Sequence, residues 1–391
     1  MINKSDSEEK KTTLELYFHI PFCVRKCAYC DFLSAEAGEE TKKAYMRRLM
    51  EDMEQFPNKE RYLVTSVFIG GGTPTVVEAE EIADLLHRTK SCFAFAEDAE
   101  ITIEANPKTV QEESLLLYRK AGINRISFGL QSVHEKELKA LGRIHSYADF
   151  LESFRMAKEA GFVNINIDLM FAVPGQTLNS WQQTLHTAAK LGATHISAYS
   201  LIIEEGTPFY TSYQEDLERR ERGEIPRLLP SEETETQMYA DAVQILKEYG
   251  YERYEISNFA REGFACRHNE GYWTGVPYAG FGLGAASYIE NRRFVKTRFP
   301  EDYLKGDFSE QEQEFLSERE LMAEFMILGL RRTKGISKEE FQNRFHSPLP
   351  ESYRKVIDNY KEKGLLAEEN DWISFTERGT LLSNLVLAYF S

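Results

Sequence analysis

The chain has 391 residues, a net charge of −16 and a hydrophobic fraction of 42%. This length is enough for one large domain and a smaller one, and no run of eighteen apolar residues is present to span a membrane. The acidity argues against nucleic acid as a partner, because affinity for phosphate backbones rests on basic residues. The cysteine count is five, an odd number, which disfavours a disulfide framework and predicts a reducing, cytoplasmic location.

The first half of the chain alternates short β-rich runs with amphipathic helical patterns. Residues 1–13 are charged and are predicted to be a disordered lead-in. The predicted strands are residues 14–20, 65–72, 100–106, 125–132, 164–173 and 195–203. Because strands that alternate with helices form parallel sheets, residues 14–210 are predicted to form an α/β fold, a partial (β/α)6 TIM-like barrel. A flat doubly wound sheet is the alternative.

The second half departs from this alternation. Residues 214–233 are charged and contain proline, and we interpret them as a loop within a linker and barrel extension at residues 211–305. A strand is predicted at residues 254–260. Residues 306–391 contain three helical patterns and then a β-turn element, which predicts a winged-helix-like cap. Acidic residues outnumber basic ones there, so the cap is not expected to read DNA.

Polar or glycine-rich residues cluster at the carboxyl ends of the predicted strands. The set comprises Cys23, a GGGTPT run at residues 70–75, Glu104 with Asn106, Gln131 and Asp168. In βα barrels the chemistry lies at this end of the strands. The sequence therefore predicts one site at the mouth of the barrel.

Three cysteines, Cys23, Cys27 and Cys30, form the pattern C-x3-C-x2-C. Thiols this close in sequence can converge on a metal ion or a cluster. A structural zinc ion would need a fourth ligand, such as His19, Asp31 or the distant Cys266. A [4Fe–4S] cluster held by three cysteines would leave one iron open to a substrate or cofactor. The place of the loop after the first barrel strand favours the cluster.

The cysteine spacing, with the aromatic Tyr29 before the third thiol, resembles that of radical S-adenosylmethionine (SAM) proteins. The resemblance implies that SAM binds the open iron and that reduction of the cluster cleaves SAM to a 5′-deoxyadenosyl radical. It also implies that Gly71, Gly72 and Thr73 of the glycine run contact SAM, together with Glu104 at the end of the third strand. Gln131, Arg143 and Asp168 are implied to bind a second SAM molecule.

An ordered set of motifs indicates the branch of this superfamily. Tyr17, HIPFC, GGGTPT, EANP, SFGLQS and DLMFAVPGQT follow one another, and the set resembles the coproporphyrinogen dehydrogenase-like branch. The oxygen-independent coproporphyrinogen III oxidases of this branch carry a further cysteine two positions beyond the third, where this chain has Phe32. They also have a longer N-terminal segment than the 22 residues that precede Cys23 here. Both departures argue against oxidase activity.

The heme chaperone family of the same branch matches the chain better. It shares the CDF ending, the YEISNFA run and the run CRHNEGYW at residues 266–273. The last run contains an H-N-x-x-Y-W motif, which the resemblance associates with heme, because imidazole can ligate heme iron and aromatic rings can pack on a macrocycle. The implied heme contacts are His268, Asn269, Tyr272 and Trp273, with Cys266 as a further candidate. The alternative is a buried polar turn with two core aromatics.

These resemblances imply a heme chaperone that binds heme, a [4Fe–4S] cluster and SAM. Its expected partners are heme-acceptor proteins, with transient contact to membrane heme proteins. No catalytic residue is assigned, and a monomer or a dimer is expected. Two enzymes remain as alternatives: an oxygen-independent coproporphyrinogen III oxidase that decarboxylates porphyrinogen propionates, and a radical SAM enzyme that acts on another tetrapyrrole.

Overall fold

The computed structural model describes residues 11–390. Its strands are β1 (Thr12–Ile20), β2 (Tyr62–Gly71), β3 (Ala94–Ala105), β4 (Arg125–Gln131), β5 (Asn164–Phe171), β6 (His195–Ser200), β7 (Glu252–Arg253), β8 (Asn258–Ala260), β9 (Tyr278–Phe281), β10 (Ala286–Ile289), β11 (Arg292–Lys296), β12 (Glu310–Phe315), β13 (Ile336–Ser337), β14 (Leu366–Glu369) and β15 (Trp372–Phe375).

The α-helices lie mostly between these strands. They are α1 (Glu39–Glu54), α2 (Ala79–Cys92), α3 (Glu112–Ala121), α4 (Glu135–Ala140), α5 (Tyr147–Glu159), α6 (Leu178–Lys190), α7 (Pro208–Glu221), α8 (Glu232–Glu248), α9 (Arg267–Thr274), α10 (Pro300–Lys305), α11 (Glu318–Gly329), α12 (Lys338–Phe345), α13 (Glu351–Glu362), α14 (Glu377–Leu381) and α15 (Ser383–Leu387). Among the described residues, none of the helices is long and apolar enough to cross a bilayer.

Twelve strands form one sheet in the order β12-β11-β10-β9-β1-β2-β3-β4-β5-β6-β8-β7. Strands β1 to β6 are parallel neighbours in sequence order, and β9 joins β1 in the same direction. A doubly wound sheet would reverse its strand order at a switch point, and no reversal occurs among β1 to β6. The predicted partial barrel is therefore confirmed, and the doubly wound alternative is excluded.

The two faces of β1 to β6 differ in chemistry. The outer face packs against helices that each carry one apolar stripe; helix α1 buries Tyr45, Met46, Leu49, Met50 and Met53. The inner face carries polar or small residues at every second position, as the two-residue period of a strand allows. On β4 these inner residues are Arg125, Ser127, Gly129 and Gln131, and they alternate with Ile126, Phe128 and Leu130 of the core.

The predicted loop at residues 214–233 is wrong in its first part, because α7 continues to Glu221. Thr207 caps this helix, since its side chain accepts a hydrogen bond from the Tyr210 backbone N–H. The charges that suggested a loop form the solvated face of a helix. Asp216 then accepts hydrogen bonds from the backbone N–H groups of residues 227–229 and ties the following segment to α7.

The predicted lead-in at residues 1–13 lies mostly outside the described residues, which begin at residue 11. Its last two residues, Thr12 and Thr13, belong to β1 and pair with Tyr62 and Leu63 of β2. Because β-branched threonine favours extended backbone, the first strand begins before the predicted position.

The cap begins later than the predicted residue 306. Strand β12 pairs with β11 in the large sheet, so residues up to 315 belong to the barrel extension. From α11 onward, helices pack with the three-stranded sheet β13-β15-β14 around a separate core that includes Met326, Phe341 and Ile373. This order of helices and strands is the predicted winged-helix-like layout. Of the strand predicted at residues 254–260, only β8 (Asn258–Ala260) forms, and β7 (Glu252–Arg253) precedes the predicted range.

A buried ion pair fixes the added strands to the barrel. Asp52 of α1, whose side chain is fully buried, lies 2.8 Å from Lys296 Nζ on β11. The same carboxylate accepts hydrogen bonds from the Gly282 backbone N–H and from the Tyr303 hydroxyl, both at 3.1 Å. Helix α1, strand β11 and helix α10 are therefore held at one point.

We expect Asp52→Ala to destabilise the fold by about 3 to 5 kcal/mol, because Lys296 is then left largely buried without its partner. Urea unfolding followed by circular dichroism measures this loss. The matched control is Asp84→Ala, since Asp84 forms an exposed ion pair with Arg88 and such pairs contribute at most about 1 kcal/mol. Equal losses in the two variants would contradict the anchoring role of Asp52.

Candidate functional site

A cavity of about 150 Å³ opens at the carboxyl ends of the parallel strands. Most of the predicted cluster and SAM residues line it: Cys23, Cys27, Tyr29, Cys30, Gly71, Gly72, Thr73, Glu104, Gln131, Arg143 and Asp168. Parallel strands bring their carboxyl ends to one rim, so residues far apart in sequence meet there. The structure adds Ser127 and Gly129, which sequence analysis missed, and Asn106, which it had placed only at a strand end.

Backbone hydrogen bonds hold the cysteine loop at both ends. The Cys23 N–H donates to the Ala35 carbonyl at 3.1 Å, and the Ala35 N–H donates to the Pro21 carbonyl at 2.9 Å. Within the loop, the Cys30 N–H donates to the Cys27 carbonyl at 3.2 Å. Across residues 11–390, no group of three or more His, Cys, Asp or Glu side chains could hold a single metal ion. The three thiols line the cavity and do not form a site for a single metal ion.

Two of these thiols accept hydrogen bonds, one from the end of β2 and one from the loop after α4. Thr73 Oγ1 lies 3.7 Å from Cys23 Sγ, and a guanidinium nitrogen of Arg143 lies 3.8 Å from Cys27 Sγ. Asn106 links the two donors, because its amide donates to Thr73 Oγ1 at 2.7 Å and its oxygen accepts from Arg143 at 2.5 Å. Donors aimed at sulfur stabilise thiolates and orient cluster ligands, so this set fits an iron–sulfur cluster.

Gly71 and Gly72 let the end of β2 pass close to the cysteine loop. Gly71 has a φ of 115°, which residues with a Cβ rarely adopt. A Cβ on Gly72 would lie 2.6 Å from the Phe22 carbonyl oxygen and 3.0 Å from Cys23 Sγ. The glycines therefore allow the end of β2 to approach the cysteine loop, because a Cβ at Gly72 would clash with that loop.

Two half-buried carboxyl groups lie on the inner side of the cavity. Glu104 accepts a hydrogen bond from the Gly71 N–H at 3.2 Å, and Asp168 accepts from Ser127 at 3.0 Å and from Asn166 at 2.7 Å. Burial and the nearby Asp168 charge raise the pKa of Glu104 to about 8, and burial also raises the pKa of Asp168. A cationic ligand beside them would favour the ionised form of both groups.

Gln131 has the features of a side chain that binds a ligand. It is the last residue of β4 and has a φ of 69°. Its buried Oε1 has no hydrogen-bond partner among the described residues. Unpaired buried acceptors and strained backbone are both concentrated at binding sites. The glycine run, the acids and this free oxygen together fit SAM beside the cluster.

A second cavity of about 540 Å³ runs from the cysteine loop into the interior of the strand arc. Tyr29 and Cys30 line it at the mouth, and Arg125, Asn166 and Asn269 line it further inside. Its volume lies in the range of cofactor sites. Sequence analysis missed Arg125 and Asn166, although their signal was present as polar residues at period two within buried strands.

The H-N-x-x-Y-W motif begins helix α9, and His268 of this motif is only 1% exposed. Its Nδ1 lies 2.8 Å from Ser66 Oγ, its Nε2 lies 3.1 Å from the Tyr272 hydroxyl, and its ring stacks on Phe68. Burial lowers the pKa of His268 to about 3, so the ring is neutral. Ligation of iron would require a hydrogen bond to break, and the structure therefore does not present His268 to a ligand.

The other motif residues face two different spaces. Asn269 lines the 540 Å³ cavity, whereas Tyr272 and Trp273 line a cleft of about 130 Å³ between α9 and the cap helices α11 and α12. Trp273 Nε1 is buried and has no hydrogen-bond partner among residues 11–390, and Arg331 lies 5.7 Å from the centre of its ring. Helix α9 thus separates the barrel interior from the cap.

Two further candidates lie away from the cavities. Tyr17 is not among the residues that line either one, and its hydroxyl lies 3.0 Å from His19 Nδ1. Cys266 is buried, and its thiol lies 3.4 Å from a Glu100 oxygen. Tyr17 therefore contacts the cysteine loop only through His19, whose Nε2 lies 2.9 Å from the Leu33 carbonyl oxygen.

Comparison with known proteins finds two matching domains and full-length relatives. The radical SAM superfamily matches residues 17–188, and the HemN C-terminal domain matches residues 316–382. The heme chaperone HemW of Bacillus subtilis (strain 168) is 36% identical over 381 residues, which cover 96% of this chain and 98% of that protein. The chain belongs to the HemW family. The HemW of Escherichia coli (strain K12) is 34% identical and covers 97% of this chain and 99% of its own length.

One solved structure resembles the whole chain. Coproporphyrinogen III oxidase (HemN) from Escherichia coli, a radical SAM enzyme, superposes with a TM-score of 0.81 over 97% of this chain and 90% of that one. The two sequences are 22% identical, so the likeness shows the fold alone. It confirms the partial barrel with its cap, while membership of the HemW family rests on the sequence relatives.

We expect Gly72→Ala to prevent stable cluster assembly, because its Cβ would press on the Phe22 carbonyl and on Cys23 Sγ. Anaerobic reconstitution followed by iron and sulfide analysis and visible absorption measures the loss. The matched control is Gly38→Ala, since no atom lies within 4 Å of a Cβ at that position. Full cluster loading in Gly72→Ala would show that the backbone contact does not govern assembly.

Proposed function

We propose that this protein is a heme chaperone that binds heme, a [4Fe–4S] cluster and SAM and transfers heme to acceptor proteins. The full-length identity with HemW relatives carries the proposal. The site supports it, because the donors around the thiols suit a cluster and the large cavity suits a ligand of cofactor size. The oxidase alternative has only the shared fold in its favour.

In this proposal Cys23, Cys27 and Cys30 hold the cluster, which supplies one open iron site when bound. Thr73 and Arg143 donate hydrogen bonds to the thiolates and fix their orientation. The strand ends behind them bind SAM through the glycine run, the half-buried acids and the free amide oxygen. The proposed SAM-binding set is Tyr29, Gly71, Gly72, Thr73, Glu104, Gln131, Arg143 and Asp168. Tyr17 acts indirectly, because its hydroxyl positions His19 beside the cysteine loop.

Of the four motif residues on helix α9, we propose Asn269 as the one that contacts heme. Asn269 faces the 540 Å³ cavity, and Tyr272 and Trp273 face the cleft beside the cap. His268 connects helix α9 to the barrel, because its ring forms hydrogen bonds with Ser66 on β2 and with Tyr272 on its own helix. We therefore assign His268 the role of fixing α9 against β2, and place heme in the larger cavity.

The proposed location is the cytoplasm, and the proposed partners are heme-acceptor proteins. All five cysteines are free thiols, which suits a reducing compartment. Membrane heme proteins are proposed acceptors that dock transiently, onto a chaperone that is a monomer or a dimer.

Heme titration and transfer test this proposal directly. Anaerobically reconstituted protein should bind one heme per chain at micromolar concentration. It should then pass heme to an apo-cytochrome of its own organism at a rate that rises with acceptor concentration. Apo-myoglobin, which collects only dissociated heme, should give a rate that does not rise. Absence of stoichiometric binding, or identical behaviour with both acceptors, would contradict the proposal.

A substitution at His268 separates a fixing role from iron ligation. We expect His268→Ala to keep the absorption bands of bound heme and to weaken binding about fivefold, the loss of roughly one hydrogen bond. His186→Ala is the control, because His186 bonds Tyr249 far from α9, and it should change neither property. A shift of the heme bands in His268→Ala alone would show that His268 ligates iron.

A further inference from the structure

The inner wall of the 540 Å³ cavity holds a cation that forms no ion pair within 4.0 Å among the described residues. Arg125, the first residue of β4, is 2% exposed and lines the cavity. Its Nε has no hydrogen-bond partner, and Arg125 takes part in none of the ion pairs within 4.0 Å among residues 11–390. Buried arginines are rarely left unpaired, because desolvation of a charge is strongly unfavourable.

The polar groups beside Arg125 are already bonded to one another. The Asn166 amide donates to Asp168 at 2.7 Å. The Asn166 oxygen accepts from His195 at 2.6 Å and from Ser197 at 3.2 Å, which uses both of its lone pairs. None of these hydrogen bonds involves Arg125. The guanidinium group therefore keeps free donors directed at a space that a ligand can fill.

Charge within the cavity singles out the same residue. Arg125 is the only cation among the described residues that line this cavity. Four acids also line it. Asp31 and Glu204 lie in loops that follow β1 and β6, at the mouth. Glu104 and Asp168 pair in register with residues 127 and 129 of β4, two and four residues closer to the rim than Arg125. Six residues of strand, about 20 Å of backbone, separate Arg125 from Gln131 at the rim. A ligand that reaches Arg125 therefore extends through the depth of the cavity.

We propose that Arg125 binds a carboxylate of the ligand held in this cavity. The planar guanidinium group offers two parallel N–H donors to the two carboxylate oxygens. Under the proposed function, on which the identity of the ligand rests, this carboxylate is a propionate of heme. The carboxylate of SAM is the second source of the same chemistry, and separate titrations distinguish the two.

The experiment compares heme with heme dimethyl ester, in which both propionates are esterified. The cluster-loaded wild type should bind heme at least about tenfold more tightly than the ester, as expected for a charge-assisted pair. Arg125→Met, of similar length without charge, should bind both with the affinity of the ester. Arg125→Lys should restore part of the preference. SAM affinity should stay unchanged in both variants.

Several results separate this inference from the proposed function. An unchanged preference for heme over the ester in Arg125→Met overturns the propionate site while the chaperone proposal stands. If the wild type binds no heme, the proposed function fails, and SAM titration tests the carboxylate site instead. A loss of SAM affinity in Arg125→Met would then support a carboxylate site at Arg125. An unchanged SAM affinity would overturn that site. Cluster content and thermal unfolding check folding, and Arg125→Met should melt no lower than wild type. If Arg125→Met does not fold, the test uses Arg125→Lys, whose preference for heme over the ester should be smaller than that of the wild type. An unchanged preference in Arg125→Lys would then overturn the propionate site.

Discussion

Parallel pairing of β1 to β6 is the constraint on which the whole site depends, because it brings six carboxyl ends to one rim. The register sets Ile20 beside Gly71, and it sets Gln131 beside Leu169. A slip of one residue would exchange the inner and outer faces of a strand. The apolar outer face, packed under the helices, prevents that slip and so fixes the polar inner face.

The inner face then determines what the molecule can hold. Its polar side chains lie in a space from which bulk water is largely excluded, so most of them are bonded to each other. The Asn106 amide joins the donors beneath the thiols, and Asn166 joins those of the barrel wall. Two side chains with an unpaired buried atom line the larger cavity, Gln131 at the rim and Arg125 further inside, and we infer that ligands bind there.

The sequence was sufficient for the six parallel strands and for the residues at their rim, but not for strands β9 to β12 of the barrel extension. Alternation of strand and helix patterns gave six strands, and motif spacing gave the cysteines, the glycine run and Glu104. Helix α7 was missed because its charges resemble those of a loop, and its cap at Thr207 is a local contact. The burial of His268 could not be predicted, because a motif does not show that Ser66 lies against it. Arg125 was visible as a polar residue in a buried strand, but its lack of a partner is a property of the fold.

We propose that the same chain binds a cluster at the rim and heme in the barrel interior. Anomalous diffraction at the iron edge, from crystals of the cluster- and heme-loaded protein, distinguishes these two sites. We expect strong iron density beside Cys23, Cys27 and Cys30 and a separate single iron inside the cavity lined by Arg125 and Asn269. Iron density at the cysteines alone, or a heme iron in the cleft beside the cap, would contradict this proposal.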